Sequence, residues 1–249
     1  MLSLHSVCRS FGGVNAVHDM SFNVAKGAVH AVIGPNGAGK TTLFNLITGI
    51  YPTTAGDIRL DDVSVTGRRP DELAQRGVSR TFQNMQICMN MTARENVMLG
   101  FHLSASTSML AGMFGITRKG DQRFCDEANE LMALVGIGTA RNAHASQLSY
   151  GVLKRLEIAR ALASKPRLLL LDEPAAGLND TETADMTILI RNIAASGITV
   201  LLVEHNMKLV MRISDQILVL NHGKKLAEGT AEQVQRNPDV IAAYLGVEA

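Results

Sequence analysis

The chain has 249 residues, of which 46% are hydrophobic, enough for one globular α/β unit with a small inserted subdomain. The net charge of +1 excludes a broad basic surface of the kind that binds nucleic acid, so no nucleic-acid partner is expected. The three cysteines lack CxxC spacing, which argues against a disulfide framework or a zinc site, and no apolar run approaches the roughly 18 residues that span a bilayer.

The first 30 residues alternate short apolar runs with turns. Leu2, Leu4 and Val7 are separated by polar residues, and a second apolar run lies at 22–24. Such alternation is typical of strands, so antiparallel strands are predicted here.

A glycine-rich segment at 34–42 follows an apolar run at 29–33 and precedes a helical pattern that ends at Gly49. In this context of strand, loop and helix, the pattern G-x-x-x-x-G-K-[ST] predicts a site for a nucleoside triphosphate. Glycines let backbone N–H groups approach phosphate oxygens, and the helix N-terminus adds positive potential. Lys40 is expected to reach the β- and γ-phosphates, and the Thr41 hydroxyl to bind Mg²⁺. The residues predicted to hold the nucleotide are Gly34, Asn36, Gly37, Ala38, Gly39, Lys40, Thr41 and Thr42.

After this loop the pattern changes from strand to helix. Strand-like segments lie at 58–60 and 80–83. The residues at 92–95 have the spacing of a capping box, and those at 126–135 are rich in helix formers. The segment of about 84–165 is therefore predicted to be mostly helical.

The last part of the chain returns to alternating strands and helices. Strands are predicted at 167–171, 199–203 and 216–220, and Thr230 has the spacing of a helix start. The acidic pair that ends the first of these strands is the second chemical motif of the chain.

Residues 1–249 are predicted to form a single domain, because no internal repeat or low-complexity linker divides them. Within it, about 1–83 and 166–249 form the α/β and β parts, and about 84–165 form an inserted helical subdomain.

The acidic pair Asp172 and Glu173 follows four consecutive leucines. Such a run predicts a buried parallel strand, and ligands of open α/β sheets bind at the carboxyl ends of these strands. Asp172 is therefore a predicted Mg²⁺ ligand, and Glu173 a predicted base that polarises a water for attack on the γ-phosphate. An acidic pair exposed to solvent at a strand end is the alternative.

A second helix start with small residues lies at 147–152. Ser149 and Gly151 precede a helical pattern and predict a further anion site. In isolation, an ordinary N-cap explains this segment better, but its position shortly before Asp172 favours the anion site.

Taken together, these motifs resemble those of the ATP-binding-cassette (ABC) ATPases over nearly the whole chain. Residues 34–42 match that family's Walker A motif, 168–173 its Walker B motif with the catalytic glutamate, and 148–152 its LSGGQ signature. The resemblance implies an α/β fold, a P-loop NTPase cassette with a RecA-like core, an N-terminal antiparallel β-subdomain and an inserted α-helical subdomain. It also assigns the Q-loop glutamine to Gln83, the D-loop to 176–179, the switch histidine to His205 and the adenine-stacking aromatic residue to Phe11.

The resemblance implies that two cassettes face each other head to tail. Ser149 and Gly151 then contact the γ-phosphate of ATP held by the partner cassette, while Glu173 and His205 act on ATP bound to their own chain. Gln83 is implied as a ligand of Mg²⁺ and as a reporter of γ-phosphate occupancy. From the residues alone, His205 is better explained as a structural histidine, and Gln83 is equally well explained as an ordinary strand-end residue.

Three residues depart from the family's consensus. Tyr150 and Val152 replace a glycine and a glutamine of the signature, and Asn179 replaces the aspartate of the D-loop. Because Ser149 and Glu173 are present, ATP hydrolysis is predicted. A cassette that binds ATP but hardly hydrolyses it is the alternative.

A finer resemblance is to the larger ATP-binding subunit of branched-chain (hydrophobic) amino-acid importers. It rests on segments at 80–83, 101–124, 173–178, 204–211 and 237–246. It implies a second, nonidentical ATPase subunit (a homodimer is the alternative), two transmembrane permeases and a substrate-binding protein. The chain is then a peripheral protein on the cytoplasmic face of the membrane.

Three other functions stay open. The tail also resembles that of lipopolysaccharide-export ATPases, and importers of urea or short amides would carry similar motifs. A soluble ABC nucleotide switch fits less well, because the chain has neither a second fused cassette nor a long coiled-coil insertion.

Overall fold

The computed structural model describes residues 1–81, 85–101 and 117–245. The strands of these residues form two sheets, one mainly parallel and one antiparallel. The strands are β1 (Leu2–Phe11), β2 (Val14–Val24), β3 (Val29–Ile33), β4 (Ala55–Leu60), β5 (Val63–Ser64), β6 (Val78–Arg80), β7 (Leu168–Asp172), β8 (Thr199–Val203), β9 (Gln216–Asn221) and β10 (Lys224–Gly229).

The larger sheet has the order β10-β9-β3-β8-β7-β6, and all neighbours in it are parallel except β9 and β10. Every residue of β3, β7 and β8 is buried, as expected for strands covered on both faces. Val32 pairs with Val203, and Asp172 pairs with the same valine from the other side. The carboxyl ends of these three strands therefore lie side by side.

The smaller sheet has the order β2-β1-β4-β5 and is antiparallel. Leu2, Leu4 and Val7 of β1 are buried and pack with buried residues of β2 and α1 in one hydrophobic cluster. The predicted antiparallel strands of the first 30 residues are confirmed.

The helices of the described residues follow the strands in chain order, and three α-helices lie between β6 and β7. The helices are α1 (Lys40–Ile47), α2 (Pro70–Gln75), α3 (Ala93–Met98), α4 (Thr117–Leu134), α5 (Tyr150–Ala163), α6 (Asp180–Ala195), α7 (Met207–Ile213), α8 (Ala231–Gln235) and α9 (Pro238–Leu245), with short 3-10 turns at Leu99–Phe101, Gly138–Ala140 and Ala145–Gln147. In the part of the chain described here, no helix is both long and apolar enough to cross a membrane.

Capping-box spacings in the sequence correctly predicted where two of these helices begin. Thr92 and Thr230 each accept a hydrogen bond from the backbone three residues on, which confirms both predicted helix starts. The strand predicted at 80–83 differs, because β6 ends at Arg80. Thr81 still donates its N–H to Leu170, and residues 82–84 lie outside the described part of the chain.

Candidate nucleotide-binding site

The phosphate loop connects the carboxyl end of β3 to the N-terminus of α1. Gly39 caps α1 with a left-handed backbone (φ 101°) and no side-chain hydrogen bond, so no side chain of the cap occupies the first amides of the helix. A Cβ at Gly39 would overlap the carbonyl oxygen of Ala16, and one at Gly34 would overlap that of Leu220. Both positions therefore require glycine.

The ammonium of Lys40 is held inside this loop. It donates to the carbonyl oxygens of Gly34 (2.7 Å) and Pro35 (3.0 Å), and the residue is 7% exposed. Burial lowers the pKa of Lys40, while the carboxylates of Glu173 and Asp172 act in the opposite direction. The cation thus lies close to both acids that follow the leucine run.

A cavity of about 470 Å³ opens at this loop. Nine of the site residues predicted from the sequence line this cavity, namely Asn36, Gly37, Ala38, Gly39, Lys40, Thr41, Thr42, Glu173 and His205. The structure therefore brings the phosphate loop together with the predicted base and the switch histidine. This size and the alignment of backbone amides suit the phosphate end of a nucleotide.

Five further residues line the cavity and were missed from the sequence. They are Val14, Asn15, Ala16, His222 and Gly223. Gly223, in the turn between β9 and β10, donates its N–H to Ala38 and accepts from His18, which ties the phosphate loop to both sheets. The turn itself has a sequence signal at 221–223, but its contact with a loop far away in the chain has none.

The side chains of Glu173 and His205 are in direct contact. His205 Nε2 lies 3.0 Å from Glu173 Oε1, and the side chains are 46% and 19% exposed, respectively. Glu173 has a left-handed backbone (φ 50°), a conformation that costs free energy for a residue with a Cβ and is concentrated at functional sites.

Glu204 is buried beside this pair and was not predicted as a site residue. Its carboxylate accepts hydrogen bonds from the backbone N–H groups of Ala175 (2.7 Å), His205 (2.9 Å) and Asn206 (3.2 Å). It therefore fixes the turn after Glu173 to the turn that carries His205.

Asp172 is not among the described residues that line the cavity, and it pairs with Arg80, which was not predicted as a site residue. Arg80 Nη2 is 2.8 Å from Asp172 Oδ2, and the side chains are 7% and 3% exposed. Arg80 also donates to Asn45 of α1 (2.6 Å). The arginine thus ties the acid at the end of β7 to the helix that follows the phosphate loop.

The signature residues occupy the N-terminus of α5. Ser149 is its exposed N-cap, and neither Ser149 nor Gly151 is among the described residues that line the cavity. Asn179 caps α6 by accepting from the N–H of Glu182 (2.9 Å), a role that asparagine performs as well as aspartate.

Two further predicted residues stand apart. Phe11 ends β1, is 39% exposed and packs edge-on against Tyr51 at 5.2 Å with Arg9 over its ring at 4.4 Å, and it does not line the cavity. Its contact with adenine stays a prediction. Gln83 lies outside the described residues.

A parallel sheet that ends in such a loop, helix and acidic strand defines a P-loop nucleotide-binding protein. Comparison with known families narrows this class. The family model described as ABC transporter matches residues 17–176, and a model described as branched-chain amino acid ATP-binding cassette transporter matches residues 224–249. The chain therefore belongs to the family of ABC transporter ATP-binding subunits and is an ABC-type ATPase.

Relatives match over almost their entire length. The high-affinity branched-chain amino acid transport ATP-binding protein BraF of Pseudomonas aeruginosa is 45% identical, over 99% of this chain and 98% of its own. The corresponding protein LivG of Escherichia coli is 42% identical over the same shares.

Solved structures of the same fold include the ADP conformation of MJ1267, an ATP-binding cassette of an ABC transporter. It superposes with a TM-score of 0.87 at 31% identity and covers 99% of this chain and 98% of its own. The predicted fold class, an ABC cassette of the P-loop NTPase type, is confirmed.

Proposed function

We propose that this chain is the motor subunit of an importer for branched-chain or other hydrophobic amino acids, which hydrolyses ATP to drive uptake through separate permeases. The cargo class is supported by the similarity to BraF and LivG and by the match of residues 224–249. The motor activity is supported above all by one observation, the contact between Glu173 and His205 in the wall of the cavity at the phosphate loop.

The phosphate loop binds the triphosphate. Its backbone N–H groups and the N-terminus of α1 face the phosphate oxygens, and Lys40 exchanges its bonds to Gly34 and Pro35 for bonds to the β- and γ-phosphates. The adenine is proposed to lie toward β1 and β2, since Asn15 and Ala16 of β2 line the cavity, and Phe11 is the residue proposed to stack on it.

Two described oxygen donors near the loop, the Thr41 hydroxyl and the Asp172 carboxylate, are of the kind that Mg²⁺ prefers. In the described part of the chain, no group of three or more His, Cys, Asp and Glu side chains could hold a metal ion by itself. Mg²⁺ does not need such a group, because it is usually held by one or two carboxylates, hydroxyls and the phosphates of the substrate. Asp172, Thr41 and Gln83 are the proposed ligands. When bound, Mg²⁺ neutralises charge on the phosphates.

Glu173 and His205 carry out the hydrolytic step. Glu173 accepts a proton from a water whose oxygen attacks the γ-phosphorus, while the bond to the bridging oxygen breaks and ADP leaves. His205 Nε2 lies 3.0 Å from the carboxylate and holds it in place. Its proposed second role is a contact with the γ-phosphate. Glu204 supports both residues through the backbone, as its three hydrogen bonds indicate.

A partner cassette supplies the missing wall of the site. Ser149 is exposed as the N-cap of α5, and Gly151 is buried in the first turn of that helix. Neither residue lines the cavity of its own chain, which supports contact of this helix start with ATP held by a second ATPase subunit. Two permeases and a substrate-binding protein complete the complex, and the chain lies at the cytoplasmic face of the membrane. We place all 249 residues in one domain, with residues of about 84–165 as its helical subdomain.

The hydrolytic role is tested by Glu173→Gln. This variant should keep ATP affinity and lose turnover, because the amide cannot accept the proton of the attacking water. Glu130→Gln, at an exposed position of α4, is the matched control and should hydrolyse ATP as the unaltered chain does. Unchanged turnover in Glu173→Gln would exclude the proposed base, and loss of binding would assign Glu173 to the nucleotide site instead.

The assembly is tested by isolating tagged Glu173→Gln protein from membranes with ATP and identifying the retained proteins. Two permeases and a second cassette are expected, and transport by those permeases identifies the cargo. Two copies of this chain with one kind of permease would favour the exporter, and ribosomes or nucleic acid would favour a soluble switch.

A further inference from the structure

Lys154 is a buried cation that the mechanism above does not use. It lies in α5, one turn after the signature residues, and is 3% exposed. A buried ammonium is unfavourable unless it has partners. Its Nζ donates to the backbone carbonyl oxygen of Glu173 at 3.3 Å and lies 5.7 Å from the centre of the Tyr150 ring. The lysine thus connects the signature helix to the residue that carries the proposed base.

The backbone of Glu173 needs such support. Its φ of 50° is in the left-handed region, which is unfavourable for a residue with a Cβ. Its N–H donates to Val203 (2.9 Å), and its carbonyl accepts from Ala176 (3.2 Å) as well as from Lys154. Among these bonds, the one from Lys154 is made by a side chain of another element.

The Tyr150 ring is the second partner of the lysine, with its centre 5.7 Å from Lys154 Nζ. Tyr150 and Lys154 are four residues apart in α5 and so lie on one face of the helix. A Cβ added to Gly177 would lie 3.0 Å from Tyr150 Cε1, so the ring packs directly on the D-loop. Tyr150 is one of the two signature residues that depart from the consensus, and a glycine there could make neither contact.

We propose that Lys154 is a positioning residue for Glu173, with the Tyr150 ring as the support that keeps its ammonium in place. The pair couples the signature of this chain, which serves the partner's ATP, to the base that serves its own. This inference rests on the proposed role of Glu173. Movement of the signature during dimer closure is then transmitted through α5 to the carbonyl of Glu173.

Lys154→Met tests this role, because it removes the donor and the charge and keeps the length of the side chain. Steady-state hydrolysis is measured on the full chain, purified with the partners it retains. We expect kcat to fall roughly tenfold with KM and ATP affinity unchanged, because a small displacement of a base costs rate without affecting binding. Lys154→Arg keeps a donor and should recover part of the loss.

Lys225→Met is the matched control. Lys225 also donates to a backbone carbonyl, that of Ser21 (2.7 Å), but it belongs to β10 and not to the proposed site. The kcat of the Lys225→Met variant should equal that of the unaltered chain. If Lys154→Met does not fold, Tyr150→Leu replaces it as the test, and it should lower kcat more than Tyr150→Phe, which keeps the ring.

A double variant separates this inference from the proposed function. If Lys154 acts through Glu173, then Lys154→Met added to Glu173→Gln lowers the residual turnover no further. Should Glu173→Gln remain active, the proposed function fails. If Glu173→Gln is inactive while both Lys154→Met and Tyr150→Leu keep kcat within about twofold, only the positioning role is overturned. A rise in KM at constant kcat overturns it as well.

Discussion

The phosphate loop and the signature segment both place small residues at the start of a helix, but the fold surrounds them differently. The loop at α1 is enclosed by residues of both sheets and opens into a cavity of about 470 Å³. At α5, Ser149 is exposed, and the segment packs against Gly177 and Glu182 of its own chain. A helix N-terminus therefore becomes a pocket only where other elements supply walls.

The difference indicates how tightly each glycine is constrained. Gly39 has a φ of 101°, and a Cβ there would overlap a backbone oxygen, which cannot move without the strand that carries it. At Gly151 the corresponding Cβ would meet Glu182 Oε1 at 2.5 Å, the end of a flexible side chain. A backbone atom therefore restricts the glycine of the phosphate loop, whereas a movable side chain restricts the glycine of the signature.

Gly39→Ala gives the largest effect that follows from this comparison. The loop has to shift, and losing two charge-assisted hydrogen bonds to phosphate costs about 3–6 kcal/mol, a fall in ATP affinity of at least about a hundredfold. Titration with a fluorescent ATP analogue measures it. Gly151→Ala should keep the affinity of the single chain, and a similar loss in both variants would remove the contrast between the two helix starts.

Arg80→Met tests whether the region behind the phosphate loop depends on a buried charge pair. The variant leaves Asp172 buried without its partner, which should lower the free energy of unfolding by about 3–5 kcal/mol. Urea denaturation measures the change. Arg123→Met breaks the more exposed pair with Glu127 and should cost less than about 1 kcal/mol. Equal losses of unfolding free energy in the two variants would mean that the buried pair stabilises the fold no more than the exposed pair does.

His30 makes the stability of the strand before the phosphate loop dependent on pH. Burial lowers the pKa of His30 from 6.5 to about 4. The charge of Glu228 raises this pKa by a smaller amount, and the charge of Lys225 lowers it further. Because the unfolded chain takes up the proton first, stability is full above pH 6.5 and falls by up to about 3 kcal/mol as the pH drops to 4.

The measurement is the free energy of unfolding between pH 7 and pH 4, compared with that of His30→Leu. The variant should have a shallower dependence on pH in this window. His5→Leu, at an exposed position of β1, is the control and should follow the unaltered chain. The same pH slope in all three proteins would contradict the assignment to His30.

Asn179→Ala gives the smallest effect and tests the signature side. Asn179 and Glu182 hold each other in a capping box, and Glu182 is the side chain against which Gly151 packs. Loss of the cap should lower the melting temperature by the equivalent of about 1 kcal/mol. Asn179→Asp keeps an acceptor and should lose much less, unless the amide has a further role in the D-loop.

Many local features could be predicted because their causes lie within a few residues. The glycine loop at 34–42, with its strand and helix, and the capping boxes at Thr92 and Thr230 depend on neighbours in the chain. The pair of Arg80 and Asp172 joins residues 92 positions apart, and Glu204 bonds to Ala175 across 29 positions. No local pattern distinguishes such a partner from any other buried polar residue.

The sequence by itself determined the class of protein, because phosphate binding and base catalysis by a carboxylate require particular residue types at fixed spacings. It identified the phosphate loop, Glu173 and His205 as candidates. Only the tertiary structure decided that Glu173 and His205 touch, that the turn at His222 and Gly223 closes the cavity, and that Lys154 reaches the carbonyl of Glu173. These contacts depend on how parallel strands bring distant segments to one edge of a sheet, which spacing along the chain does not encode.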